Sequence, residues 1–184
     1  MHELVESLSR YLPVDAGLGA RLERLARPAS FARLAHVFEP GEPCRQLFYM
    51  VTGLVRSYYV FGDKEVNLRL LCDESAVLPL SSYITGAPSF ESIQCLEPCR
   101  GYWLPLPTGD GAGGFETLRR VLAERHYLAM ERRLLTLQYK TARERYRHFR
   151  ETMEPKIVAR TPALHVASYL GVRPESLSRL RRDS

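Results

Sequence analysis

Leucines recur at spacings of three and four over residues 3–27 (Leu4, Leu8, Leu12, then Leu18, Leu22, Leu25), the repeat of an amphipathic helix or helix pair, with Pro13 and Pro28 as punctuation. From Ala29 to about Pro107 the texture changes to short runs of β-type residues divided by turn formers. Ala35–Phe38 precedes Pro40-Gly41-Glu42-Pro43, Leu47–Val51 precedes Thr52-Gly53, and Leu54–Phe61 precedes Gly62-Asp63-Lys64. Further runs follow at Glu65–Cys72, Ala76–Leu80, Ser92–Leu96 and Gly101–Leu104. Many short strands at near-regular spacing predict a sandwich or a small barrel-like roll.

A glycine-rich segment, residues 108–114, reads as a loop or linker. After it, Phe115 to about Tyr139 contains neither Gly nor Pro and is rich in strong helix formers, which predicts one long helix. Its apolar positions Leu118, Val121, Leu122, Leu128, Leu135 and Tyr139 recur at spacings of three, four and seven, with gaps at Arg125 and Arg132. Such a stripe either covers the roll or is shared with a second subunit; the helix's length favours the second, with Leu118, Val121, Leu122, Leu128 and Leu135 as the dimerisation residues. Residues 141–153 predict another, basic helix with Tyr146 and Phe149 inward, ended by Met153-Glu154-Pro155.

The stretch from Arg160 to Arg182 carries the most specific pattern. Thr161 before Pro162 predicts an N-cap followed by Pro at the first helical position. Leu164, Ala167 and Leu170 then share one face, and Gly171 stops the helix. Pro174 opens a second helix with Leu177 and Leu180 inward, and the small Ala167 lets the two helices cross closely, as in a helix-turn-helix. The outward face holds Glu175, Ser178, Arg179 and Arg182. Arg179 can donate two hydrogen bonds to guanine O6 and N7, Glu175 can accept from cytosine N4, and Ser178 can serve a base or a phosphate. Arg173, Ser176, Arg181 and Arg182 are placed to hold phosphates and set the register.

Charge sharpens this picture. The chain's 184 residues carry 26 basic and 21 acidic side chains, net +5, but residues 1–117 are net −4 and residues 118–184 net +9. Clustered basic side chains gain by releasing counterions from nucleic acid, and 23 of the 26 are arginine, the residue that suits bidentate contacts to phosphate and guanine. A hydrophobic share of 45% fits a folded core, and the longest apolar runs, such as Leu47–Val51, fall far short of the roughly 20 residues of a membrane span. The acidic, amphipathic start lacks the pattern of a signal peptide, so the expectation is a cytoplasmic protein whose four cysteines (Cys44, Cys72, Cys95, Cys99) are reduced thiols. Neither metal nor other cofactor is expected: Cys95-x-x-x-Cys99 has no further ligand nearby in sequence, and the five histidines are scattered, which argues against a cupin-like metal enzyme. No nucleophile-base arrangement, phosphate loop or paired-carboxylate motif stands out, so the chain is expected not to be an enzyme.

At this point the sequence resembles the Crp/Fnr family of bacterial transcription regulators. The residues that carry the resemblance are Ala167-Ser168-Tyr169-Leu170-Gly171-Val172-x-x-Glu175-x-Leu177-Ser178-Arg179-x-Arg181, together with Phe38-x-Pro40-Gly41-Glu42 and Phe48-Tyr49-Met50-Val51-x-Gly53-Leu54-Val55. The resemblance implies an α+β chain: an N-terminal β-roll (double-stranded β-helix, cyclic-nucleotide-binding-like) with its helices over residues 1–114, a long dimerisation helix over 115–140 and an all-α helix-turn-helix domain over 141–184. It also implies that Glu175, Ser178 and Arg179 contact operator bases, that a homodimer reads a palindromic site in double-stranded DNA with half-sites about 34 Å apart, and it admits RNA polymerase as a further partner.

Two departures follow. Family members that bind cyclic nucleotides neutralise the phosphate with an Arg-Ser pair; here the corresponding region offers Ser81, Ser82, Gly86, Ser89, Phe90 and Ser92 as candidate pocket residues and no Arg from Glu74 to Leu96, while Glu91 would repel a phosphate. The expectation is a degenerate pocket that takes another effector or none. Tyr49, Tyr58, Tyr59, Tyr83 and Cys95 could also line a pocket, although aromatic residues in a roll are more often core. Ser184 follows directly on the recognition helix, so backbone clamping is expected from helix ends and arginines rather than from a β-wing. The competing reading is a ligand- or partner-binding regulatory protein without specific DNA binding.

Overall fold

The computed structural model describes residues 2–9, 14–106 and 115–182; Leu12, Pro13, the glycine-rich segment and Ser184 lie outside them. Two helices, α1 (His2–Ser9) and α2 (Ala16–Leu25), precede β1 (Arg27–Phe31), β2 (His36–Phe38), β3 (Gln46–Thr52), β4 (Leu54–Phe61), β5 (Lys64–Cys72) and β6 (Ser75–Val77). Then come α3 (Leu80–Thr85), β7 (Ser92–Cys95), β8 (Cys99–Pro105), the long α4 (Glu116–Tyr139), α5 (Ala142–Thr152), α6 (Pro155–Arg160), α7 (Ala163–Leu170) and α8 (Pro174–Arg182). The strands form two four-stranded antiparallel sheets, ordered β1-β8-β3-β6 and β2-β7-β4-β5.

The unbroken apolar run Leu47–Val51 of β3 now has a cause. A strand packed on one face alternates apolar with polar, whereas one packed on both faces reads as a continuous apolar run. Phe48, Met50 and Val55 point into the roll with Val37, Val77 and Ile93. Leu47, Tyr49 and Val51 point the other way and receive Leu4 and Leu8 of α1, Leu18 and Leu22 of α2, and Leu118 of α4. The second sheet's outer face is also covered: Leu54, Leu70, Cys72 and Leu96 share one apolar cluster with Tyr146, Phe149, Ile157, Val166, Ala167, Leu170 and Leu177 of the C-terminal helices. The roll is thus the middle layer between a helical cap and the helix-turn-helix unit.

Several expectations shift in position. Ala76–Leu80 is strand only to Val77, and Leu80 opens α3. The basic helix ends at Thr152, but Pro155 starts a further short helix rather than only closing the previous one. Thr161 ends that helix and is buried, so it does not cap α7, whose first turn lacks a side-chain cap. Leu164 is 62% exposed and Val166 takes the inward place expected of it.

Candidate nucleic-acid interface

The turn between α7 and α8 rests on Gly171, whose φ of 63° is the left-handed conformation that glycine adopts without strain. Val172 N–H donates to Ala167 O at 3.0 Å and Gly171 N–H to Ser168 O at 3.2 Å, the paired closure of a Schellman motif. The remaining carbonyls at this helix end meet two arginines: Arg133 of α4 donates to Tyr169 O at 2.7 Å and Arg145 of α5 to Leu170 O at 2.9 Å. Cations at a helix C-terminus also complement its dipole. Leu177 is 1% exposed and anchors α8 beneath Val166 and Ala167.

On the far side of α8, Glu175, Ser178, Arg179 and Arg182 are exposed; Arg181, one turn after Leu177, and Arg173, just before the helix, are exposed as well, and Ser176 is half-buried. Among the described residues none of these charged side chains is held in an ion pair. The face therefore offers one carboxylate, one hydroxyl and several guanidinium groups free for an external partner.

The unit is locked to the roll by polar contacts that the sequence pattern did not reveal. Ser168 Oγ accepts from Asn67 N–H at 3.0 Å and donates to Glu65 O at 2.9 Å, splicing α7 onto β5. Asn67 Nδ2 donates to His165 O at 3.3 Å, and Arg133, besides binding Tyr169 O, donates to Asn67 O at 2.9 Å. Lys156 of α6 binds Asp73 at 2.6 Å and Glu97 at 3.3 Å, and Arg160 binds Glu97 at 3.1 Å. Arg56, 4% exposed, donates to Glu65 at 2.6 Å and to Gln94, and lies 3.2 Å from Nδ1 of His165.

A guanidinium can only donate, so His165 Nδ1 must accept and the ring is neutral. Burial, and next the Arg56 charge, hold His165 below its ordinary value of 6.5, against an opposing pull from Glu65. His126 on α4 is lowered for the same two reasons, with Arg69 as the cation and Glu91 opposing. With the folded value below the unfolded one, the unfolded chain takes up protons first, so stability is full above about pH 6.5 and declines as pH falls below it. We expect the thermal midpoint to drop between pH 7 and pH 5, and His165→Gln to reduce that drop; an unchanged pH profile in the variant would refute the assignment.

Where the sequence placed an effector pocket, the structure is differently arranged. Ser82 is buried, accepting from Cys44 N–H and donating to Ala87 O; Ser89 is buried against Glu91; Ser92 is buried. Ser81, Gly86 and Phe90 are exposed, with Phe90 stacked edge-on against Tyr59 at 6.1 Å. None of the six borders the cavity of about 240 Å³ between the roll and α4, which is lined instead by Tyr49, Arg69, Leu78, Leu122, Arg125 and His126 among others. Of the tyrosines, Tyr49 alone borders that cavity, and its hydroxyl is engaged by Ser7 at 2.5 Å. Beside the cavity Arg69 meets Glu91 at 2.8 Å and also donates to Leu78 O, while Ser57 donates to the same carboxylate. His36 is paired with the Tyr58 hydroxyl at 3.0 Å.

No family model matches the sequence, and no curated protein matches it either. Solved structures do. FixK2 from Bradyrhizobium japonicum superposes with a TM-score of 0.70 at 19% identity over 86% of this chain and 83% of its own. CLP from Xanthomonas campestris, a c-di-GMP-responsive global regulator, gives 0.70 at 18% identity over 92% and 91%. A CRP/FNR-family transcriptional regulator from Thermus thermophilus gives 0.62 at 18% identity over 85% and 84%. The fold is that of the Crp/Fnr regulators. Among the described residues, no helix is long and apolar enough to cross a membrane.

Proposed function

We propose that this chain is a cytoplasmic, sequence-specific DNA-binding regulator of the Crp/Fnr type that works as a dimer and catalyses no reaction. The observation that carries this reading is the outward face of α8: Glu175, Ser178 and Arg179 stand exposed on a helix whose other side is fixed through Leu177, with Arg173, Arg181 and Arg182 flanking them. Those residue types match base edges in the major groove, and the flanking arginines match phosphates. Selection from a random duplex library at two salt concentrations tests it: an enriched inverted repeat supports the reading. Binding that falls steeply with salt without enrichment would leave only non-specific polyanion affinity, and would favour a ligand- or partner-binding regulator instead.

The dimer is assigned to the open side of α4. Leu118 is 2% exposed in the roll's own core and Val121 and Leu122 pack beside it, so these three serve the roll. Leu128 and Leu135 are 45% and 51% exposed, and Tyr127 and Leu134 add to the same strip at 64% and 54%. The two pairs repeat at seven residues, the spacing of a coiled-coil seam. Leu128→Glu with Leu135→Glu is expected to convert a dimer to a monomer by light scattering while leaving circular dichroism unchanged; a persistent dimer would move the interface elsewhere.

The roll is read as a degenerate cyclic-nucleotide domain. Arg69 is already neutralised by Glu91, and the buried carboxylate opposes any second anion at that place. Calorimetry with cyclic AMP is expected to give no saturable binding in the micromolar range; a saturable isotherm would overturn the reading.

A further inference from the structure

A second cavity, of about 280 Å³, lies where three parts of the chain meet: β5 of the roll, the C-terminal half of α4, and α5 with the end of α7. On α4 its lining residues Met130, Arg133 and Leu137 recur at three and four along one side of the helix. At about 100° per residue, Tyr127, Leu128, Leu134 and Leu135 lie on the opposite side, so the strip assigned to the dimer leaves this cavity uncovered. The walls are apolar, with Leu71, Phe149 and Met153 among them, but their charge is one-sided: Arg132, Arg133 and Arg145 line the cavity and, among the described residues, no carboxylate does. None of these three arginines borders the cavity between the roll and α4. Arg133 gives its terminal nitrogens to the neutral Tyr169 O and Asn67 O and lies over the Tyr169 ring. Arg145 gives one nitrogen to Leu170 O, while its Nε is buried with no hydrogen-bond partner. Arg132 is exposed and, among the described residues, makes no ion pair.

We propose that this junction is a binding site for a small carboxylate with an apolar body, an alkyl or aryl acid, and that its occupancy is transmitted to the recognition helix. The regulatory half rests on the DNA-binding reading above; the binding half does not. Guanidinium groups drawn from water without an anion are unfavourable, and a carboxylate accepting from Arg132 and from Arg145 Nε supplies both the charge and the acceptor that the walls lack. The apolar lining takes the rest of the ligand, each buried methylene tightening binding roughly fourfold. A volume near the lower limit of small-molecule sites, about 300 Å³, selects a compact acid. The same side chains support the turn of the helix-turn-helix. A Cβ on Gly171 would lie 3.3 Å from Arg145 Nη1 and 3.5 Å from Leu137 Cδ2, so both residues stand directly against that turn. Arg133 and Arg145 also hold the carbonyls of the two residues that precede it, Tyr169 and Leu170. An anion shared by Arg132 and Arg145 therefore bridges α4 and α5 and biases how α8 is presented, a coupling between two distinct sites.

The experiment uses the full chain and three probes titrated by calorimetry: decanoate, naphthalene-2-carboxylate and the neutral naphthalene-2-methanol. The expected result is saturable binding of at least one acid, one per chain, with a Kd below about 100 μM. The alcohol should bind more weakly than its acid by about tenfold or more. Arg132→Ala, at an exposed position whose truncation leaves the fold intact, should weaken the acid by about tenfold or more. Met130→Trp, which fills the cavity, should abolish binding. No saturation by either acid up to about 1 mM would overturn the proposal. So would an alcohol that binds as tightly as its acid, or an acid that binds Arg132→Ala and Met130→Trp as it binds wild type. The regulatory half is read on a selected operator with and without saturating acid: the affinity should change by about fivefold or more, and an unchanged affinity would overturn that half. If the acid binds as described while no sequence is selected in either state, the DNA-binding reading alone fails.

Discussion

Arg179→Ala should abolish operator selection while leaving the fold intact. The side chain is exposed on α8 and contributes nothing to the shared apolar cluster, so its loss costs the protein little stability. A bidentate arginine–guanine contact contributes about 1–3 kcal/mol of discrimination. A dimer makes it twice, so the affinity for the selected site should fall between roughly thirty-fold and ten-thousand-fold. Arg181→Ala provides the contrast: removal of a phosphate contact weakens all sequences alike and lowers the salt slope by about 1 per subunit. An Arg179→Ala protein that still enriches the wild-type site would refute the placement of α8 in the major groove. Glu175→Ala, read by the same selection, should relax preference at a neighbouring position without the same loss of overall affinity.

The largest effect on stability is expected at Glu91. Its carboxylate is 5% exposed, bound to Arg69 at 2.8 Å, and Arg69 is itself 10% exposed. Glu91→Ala leaves that guanidinium buried without its anion, which costs about 3–5 kcal/mol in comparable pairs. At about 2–4 °C per kcal/mol for a chain of this size, the thermal midpoint should fall by roughly 6–20 °C. Replacing both partners by apolar residues of similar volume, Arg69→Met with Glu91→Leu, should recover most of the loss, because no charge then remains buried. A single variant as stable as wild type would mean that water reaches Arg69 freely. The double variant also serves the effector question: cyclic AMP should fail to bind it as it fails with wild type, since the cation has gone together with the anion.

Much of the chain's plan could be read from its residues. The helix-turn-helix was legible because Gly171 and Pro174 punctuate it at fixed places and because Leu177 sets the inward face against Glu175, Ser178 and Arg179. The roll was legible from its short runs between turn formers. Six-residue helices such as α3 and α6 were not, since one and a half turns give too little periodicity to separate a helix from a strand or a loop. The α4 stripe shows the same limit differently: Leu118 and Leu128 look alike along the sequence, and only the packing of α1 and α2 beside the first sheet decides which one is already covered. Long-range polar ties were invisible for a simpler reason. Ser168 reads as one more small residue in an apolar helix, and its partners in β5 stand about a hundred positions earlier. Phe90 illustrates the converse, an aromatic residue expected in a pocket that lies 58% exposed against Tyr59.

The covering of the second sheet by the C-terminal helices has a consequence for how such a protein can be inherited and cut. Leu54, Leu70, Cys72 and Leu96 are kept from water by residues that come after position 140. A fragment that ends at the long helix would expose this apolar surface on the sheet face and invite self-association. The C-terminal helices alone would lose the platform on which Ile157, Val166 and Leu170 rest. The two halves are therefore expected to unfold together in a single thermal transition; two separate transitions by calorimetry would refute this.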